Sequence, residues 1–107
     1  MQQQPITESH LLDDEGRPAG GSTFGTGFAI NWQDGPLAVD GVRREPNGAF
    51  VEGIIQAALG RLEFYQSTQF KCRENALAIT KLEEALHWCQ HRTANREARG
   101  VEGTHQL

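Results

Sequence analysis

The chain lacks the marks of a nucleic-acid-binding protein, a secreted scaffold and a membrane span. Ten Lys and Arg stand against fourteen Asp and Glu, for a formal net charge of −4 and a pI near 5.5. That balance argues against a broad basic surface, and so against general nucleic-acid binding. It leaves room for a small anionic ligand held by a local arginine cluster. No apolar run reaches the ~18 residues of a spanning helix, and no secretory leader is evident. A soluble, cytosolic protein with no membrane contact is therefore the expectation. Cysteine is scarce: Cys72 and Cys89 lie 17 residues apart on one expected helix. That separation is ~25 Å at 1.5 Å per residue, too long for an intrachain disulfide. His10, His87, His91 and His105 form no metal-ligating pattern with them. His87 and His91 lack the Glu that follows the first His in the zinc-helix motif. There is no recognisable nucleophile–base pair, P-loop or His-Asp phosphohydrolase spacing. No metal, cofactor or catalytic residue is expected, and binding without turnover fits better than catalysis.

Apolar residues are also few, 37% of 107 residues with a mean hydropathy of −0.55, against ~45–50% in an ordinary globular domain. The first 22 residues, polar and Gly-rich, contribute to this deficit and read as a mobile segment. Residues 23–107 then form a single domain with a core small enough to lean on self-association.

Residues 23–46 read as a small antiparallel β part. Thr23 to Trp32 alternates and predicts one strand, with Phe24, Phe28, Ile30 and Trp32 on a shared face. Gln33 to Pro36 is a turn, and Leu37 to Arg43 a short second strand weakened by Asp40-Gly41. Glu45 to Gly48 breaks the strand, and Asn47 is a candidate N-cap for the helix after it. Residues 49–99 predict an antiparallel helical hairpin. Helix one, about 49–66, carries Val51, Ile55, Ala58, Leu62 and Tyr65 in one stripe and Phe50, Ala57 and Phe64 in another. Gly53 and Gly60, seven apart, cost helix propensity of ~1 kcal/mol each and permit close approach of another backbone. Ser67 to Lys71 connects to helix two, which Gly100 ends before a tail at 100–107. The fold class is α+β, assembled as an oligomer.

Helix two is the element around which the rest is arranged. Asn75, Ala78, Leu82, Ala85, Cys89, Arg92 and Arg96 step by three and four, so they fall within an arc of roughly 100°. The stripe begins with an amide, is apolar in the middle and ends in arginines. Arg92, Arg96 and Arg99 share a face on a stretch expected to overhang helix one. They read either as solvated cations favouring the helix C-terminus or as an anion site, since Arg forks match phosphate oxygens. Asn75 could read a base or ribose edge, or be an ordinary helix-terminal amide. Tyr65 and Trp32 could stack on a base or pack in the core.

The segments WQDGPL, EPNGAFVEGII, RLEFYQSTQF, CRENALAITKLEEAL and RTANREARGVEGTH together resemble the phage Thoeris anti-defence family of signal sponges. That family shares its helical hairpin with the phage anti-CBASS sponges. The resemblance covers about Gly21 to Leu107. It implies a β part followed by helices, dimers often assembled into hexamers, and intact capture of glycocyclic ADP-ribose between protomers in the cytoplasm of the infected bacterium. The family's pocket uses an aromatic at the end of the first helix and an Asn ten residues later, which match Tyr65 and Asn75. The family's aromatic is Phe, so Tyr65 adds a hydroxyl that needs a partner if buried. Hexameric members hold cyclic oligonucleotides at a second site through two arginines four apart, which match Arg92 and Arg96. Rival readings are a messenger-degrading enzyme and an oligomeric nucleic-acid-binding or structural module.

Overall fold

In the computed structural model, residues 5–107 are described, and the chain divides into two compact units. One comprises the residues up to 50 together with 101–107, and the other residues 51–100.

The first unit holds β1 (Thr7–Leu12), β2 (Pro18–Gly25) and β3 (Phe28–Asp34), antiparallel in the order β1-β2-β3. The segment expected to be mobile thus contains a strand and the start of another, while residues 1–4 lie outside the described residues. Gly and Ser opposite Ser and His form a ladder here without any hydrophobic pattern. Backbone pairing and turn chemistry carry it. Between β1 and β2 the Asp13 carboxylate accepts from the amides of Glu15 and Arg17 (2.9 and 3.0 Å) and from Arg17 Nε (2.8 Å), a side-chain-closed turn. The Arg17 amide is the main influence holding the Asp13 carboxyl below its ordinary range.

The single strand expected over 23–32 is instead a hairpin. Gly25 pairs with Phe28, leaving Thr26 and Gly27 as the loop, with Gly27 at φ 83°. That reversal also moves Phe24. Residues directly opposite share a face, so Gly21, Thr23 and Gly25 line up with Trp32, Ile30 and Phe28, whereas Phe24 and Ala29 point the other way. Across this face the Trp32 indole N–H donates to Thr23 Oγ1 at 2.8 Å, and Thr23 is buried.

Leu37 to Arg43 likewise becomes two short strands, β4 (Ala38–Val39) and β5 (Val42–Arg43). Asp40 and Gly41, both at positive φ (51° and 76°), form the tight reversal that Asp-Gly favours. The C-terminal tail joins this pair. Ala38 N donates to Gly103 O at 2.8 Å, and Arg43 forks onto Glu102 at 2.6 and 2.9 Å.

Asn47 is no helix cap, because the helix begins only at Val51. Its amide instead accepts from Asp34 N (2.8 Å) and donates to Asp34 O (2.9 Å), and its own N–H donates to Gln33 Oε1. Ala49 then pairs with the outer edge of β3 through Asn31 O (2.7 Å) and Gln33 N (3.0 Å). Gly48 lies between these anchors. A Cβ there would sit 2.6 Å from the Trp32 carbonyl carbon and oxygen.

The second unit is an antiparallel hairpin of α1 (Val51–Gln66) and α2 (Arg73–Ala98). Its half-buried positions are Glu52, Ile55, Leu59, Leu62 and Gln66 on α1, and Asn75, Ala78, Ile79, Leu82, Leu86, Cys89 and Thr93 on α2. Steps of three and four give a seam of 3.5-residue period, as two slightly supercoiled helices require. This corrects the expected stripes. Ala85 and Arg92 are exposed, with Leu86 and Thr93 turned inward in their place. On α1, Val51, Ala58 and Tyr65 are exposed while Glu52, Leu59 and Gln66 are half-buried. The larger leucines take the seam because they remove more apolar area from water than the neighbouring alanines.

At the turn, the Gln66 amide accepts from Cys72 N (2.9 Å) and donates to Cys72 O (3.1 Å). Cys72 caps α2 through its sulfur, which accepts from Asn75 N at 3.5 Å. Gly100, at φ 73°, ends the helix as expected. A Cβ at Gly53 or Gly60 would meet nothing within 4 Å.

Among the described residues, no hydrophobic side chain is fully buried. The β part is held largely by polar contacts, so substitutions that disturb them should be costly. Gly48→Ala forces a methyl into the Trp32 backbone and is expected to destabilise the protein by about 1–3 kcal/mol. Urea denaturation followed by tryptophan fluorescence checks this, and an unchanged midpoint would mean that residues 47–49 do not grip β3.

Candidate binding surfaces of the helical hairpin

The turn places the end of α1 and the start of α2 at the same end of the hairpin, and with them Tyr65 and Asn75. Tyr65 is 38% exposed and Asn75 half-buried. The Tyr65 hydroxyl has a partner, because Arg61 Nε donates to it at 3.2 Å. The Arg61 guanidinium carbon lies 4.9 Å from the centroids of both the Tyr65 and Phe64 rings. The rings themselves are tilted by 51° with centroids 6.0 Å apart. An exposed aromatic pair thus carries a cation against its faces. Arg61 escaped the sequence reading, although the i, i+3 and i, i+4 spacing to Phe64 and Tyr65 was there to be used.

Trp32 belongs to the other unit, half-buried, with its indole N–H taken by Thr23.

The arginines of α2 separate by exposure. Arg92 and Arg99 are exposed, and Arg99 Nε donates to Asn95 Oδ1 at 3.1 Å. Arg96 is one of the two buried residues among those described, at 9% exposure, and it is not free. The stretch expected to overhang helix one thus carries two exposed arginines and one buried one. Asn75 and Arg96 are 21 residues apart along α2, ~31 Å of helix. One small ligand cannot touch both on one chain.

Cys89 completes the seam opposite Glu52. Burial pushes its thiol pKa up. The Glu52 carboxylate adds to the rise through its charge and by accepting a hydrogen bond from the thiol, while Arg92 pulls the other way. Further along α2, exposed Trp88 meets His87 and His91 edge-on, at 5.6 and 5.7 Å between ring centroids. Among the described residues there is no group of three or more His, Cys, Asp or Glu placed to hold a metal ion.

Residues 26–94 match the family model of the Acb2/Tad1 hairpin domain. The matched span contains Trp32, Tyr65, Asn75 and Arg92, and stops before Arg96 and Arg99. A protein of Bacillus phage SBSphiJ7 called Thoeris anti-defense 1 is 52% identical over 77 residues, which cover 72% of this chain and 51% of that protein. The chain thus spans about half the length of this relative.

The two cysteines should differ in reactivity. Cys72 is exposed, whereas Cys89 is half-buried with a raised pKa, and alkylation proceeds through the thiolate. Iodoacetamide near pH 8 is expected to label Cys72 first, as read by mass spectrometry of peptides. Glu52→Gln removes one cause of the rise, so it should speed labelling of Cys89 several-fold and leave Cys72 unchanged. Equal rates at Cys89 in parent and variant would remove Glu52 from the seam.

Proposed function

Because the chain belongs to the Acb2/Tad1 hairpin-domain family, we propose that it is a phage anti-defence protein that binds cyclic nucleotide immune signals and holds them intact. The ligand at the turn end of the hairpin is an ADP-ribose-type signal, glycocyclic ADP-ribose, contacted by Tyr65 and Asn75, while Trp32 is an aromatic candidate on the other unit. Cyclic di- or trinucleotides bind separately at Arg92, Arg96 and Arg99. The protein is no enzyme, needs no cofactor, and acts in the cytoplasm of the infected bacterium. The observation that carries this reading is the family match over 26–94, supported by the 52% identity to a phage protein named for Thoeris anti-defence. An exposed aromatic and guanidinium beside a half-buried amide at the hairpin's turn are the chemistry that a nucleotide would use.

Self-association belongs to the same proposal, as a dimer and further as a hexamer built from three dimers. Among the described residues no hydrophobic side chain is fully buried, and large exposed apolar groups mark association surfaces. Phe64, Phe70 and Trp88 are more than half exposed, at 52%, 73% and 66%. Sequestration requires a Kd well below the signal concentration, about 12 kcal/mol at nanomolar affinity. An enclosed site between copies supplies that more readily than an open helix face.

The test is capture and release. Protein is mixed with glycocyclic ADP-ribose, filtered free of unbound ligand and heated, and the released material is chromatographed. Intact ligand in stoichiometric amount is expected. Altered ligand would mean turnover, and an empty filtrate from the heated protein would end the ADP-ribose assignment. By calorimetry, Asn75→Ala is expected to weaken ADP-ribose-type binding at least tenfold and spare cyclic dinucleotides. Arg92→Ala, with or without Arg96→Ala, should do the reverse. Loss of both ligands in both variants, with the oligomer intact, would refute two independent sites.

A further inference from the structure

We infer that Arg61 is the phosphate-binding residue of the Tyr65 surface, an inference that rests on the nucleotide reading above. Arg61 Nε is engaged by the Tyr65 hydroxyl, and the flat of the group rests against the Phe64 and Tyr65 rings. Among the described residues no carboxylate lies within ion-pairing distance of it, and its two terminal nitrogens have no hydrogen-bond partner. Three other cations are paired with carboxylates, whereas Arg99 meets the neutral amide of Asn95. Arg17 forks onto Asp13 and Glu15, Arg43 onto Glu102, and Lys81 meets Glu84. In a chain with fourteen acidic residues and ten basic ones, an arginine held by aromatics alone is a cation kept clear of neutralisation.

Its surroundings also limit its motion. An exposed arginine ordinarily samples many rotamers, and ordering it opposes binding. Here contacts to two rings and a hydroxyl restrict the side chain before any ligand arrives. The open edge of the fork, with two parallel N–H groups, matches two oxygens of one phosphate or of a pyrophosphate. An aromatic face lies within one side-chain length of it. A planar base joined through ribose to phosphate fits that pair of features, whereas a neutral nucleoside leaves the fork empty. The ligand class is thus a nucleotide with its phosphate group turned toward α1. Tyr65 gains a second role as the hydroxyl that orients the fork, which a phenylalanine could not perform.

The experiment compares the full-length protein with Arg61→Gln and Arg61→Lys, using glycocyclic ADP-ribose in calorimetry across a salt series and inorganic pyrophosphate in NMR of the arginine Nε–H signals. For the cyclic ligand, Arg61→Gln is expected to weaken binding roughly ten- to a hundredfold, the scale of a charge-assisted contact. Arg61→Lys should restore only part of it. The dependence of affinity on salt should flatten in Arg61→Gln, because one phosphate contact is gone. An arginine that merely positioned Tyr65 would lower affinity without altering the salt slope, and that result overturns the inference. Capture by Arg61→Gln at parental affinity overturns it too, and leaves the sponge reading standing. If the parent captures no cyclic ligand but pyrophosphate moves the Arg61 Nε–H signal, the fork stands and the signal assignment falls. If pyrophosphate moves nothing and no ligand is captured, both fall.

Discussion

Two helices packed along a single seam cannot seal themselves, and the rest of the architecture follows from that constraint. Ile55, Leu59 and Leu62 meet Ile79, Leu82 and Leu86, yet each of them remains half-exposed. One helix against one helix covers a stripe and leaves the remaining circumference wet. The hairpin therefore presents Val51, Ile54, Phe64, Leu77 and Trp88 to whatever lies outside it. For a protein whose proposed work is to enclose a small molecule, an unsealed hairpin is a suitable half of a container. On the proposed reading another copy supplies the second half, and ligand capture and assembly draw on the same surfaces.

The sheet answers a different problem. With Gly and Ser prominent in β2, side chains offer little apolar area, so backbone groups and turn carboxylates must hold the strands. The contacts that matter are between polar atoms: Trp32 to Thr23, Asn47 to Asp34, Ala49 along β3. Such a unit is sensitive to steric detail. A methyl at Gly21 would collide with the Ser9 carbonyl oxygen, as one at Gly48 would with Trp32.

Much of the helical half was legible in the sequence, and the reasons are physical. Helices reveal themselves through periodicity, and the stop at Gly100 through the residue that tolerates a left-handed conformation. The choice between Ala85 and Leu86 was not legible, because both stripes step by threes and fours through Asn75, Leu82 and Cys89 and differ only in which of two adjacent residues turns inward between them. The β half was harder. β1 has no burial to impose alternation, so TESHLL looks like a disordered leader. The Thr26-Gly27 reversal was hidden inside an alternating run that reads equally well as one strand. Asn47 was assigned to the helix because a cap is the commonest use of an Asn before a helix, whereas it serves the strand behind it. Of the candidate surface, Asn75 stood out as the polar start of an otherwise apolar stripe, and Tyr65 as the aromatic that closes the first helix and matches the family's pattern. Arg61 did not, since a lone arginine on an amphipathic helix calls for no explanation until its neighbours are seen.

The Gln66 amide has one more implication. It grips both backbone groups of Cys72 and so closes the turn by itself. Order at that end of the hairpin does not depend on excluding water from a core. The geometry relating Tyr65 to Asn75 is set over a few residues of contiguous chain, so its fidelity is local. Such a turn keeps its shape whatever the hairpin goes on to pack against. The relation between the two side chains is then written into each chain as it leaves the ribosome, ahead of any packing partner.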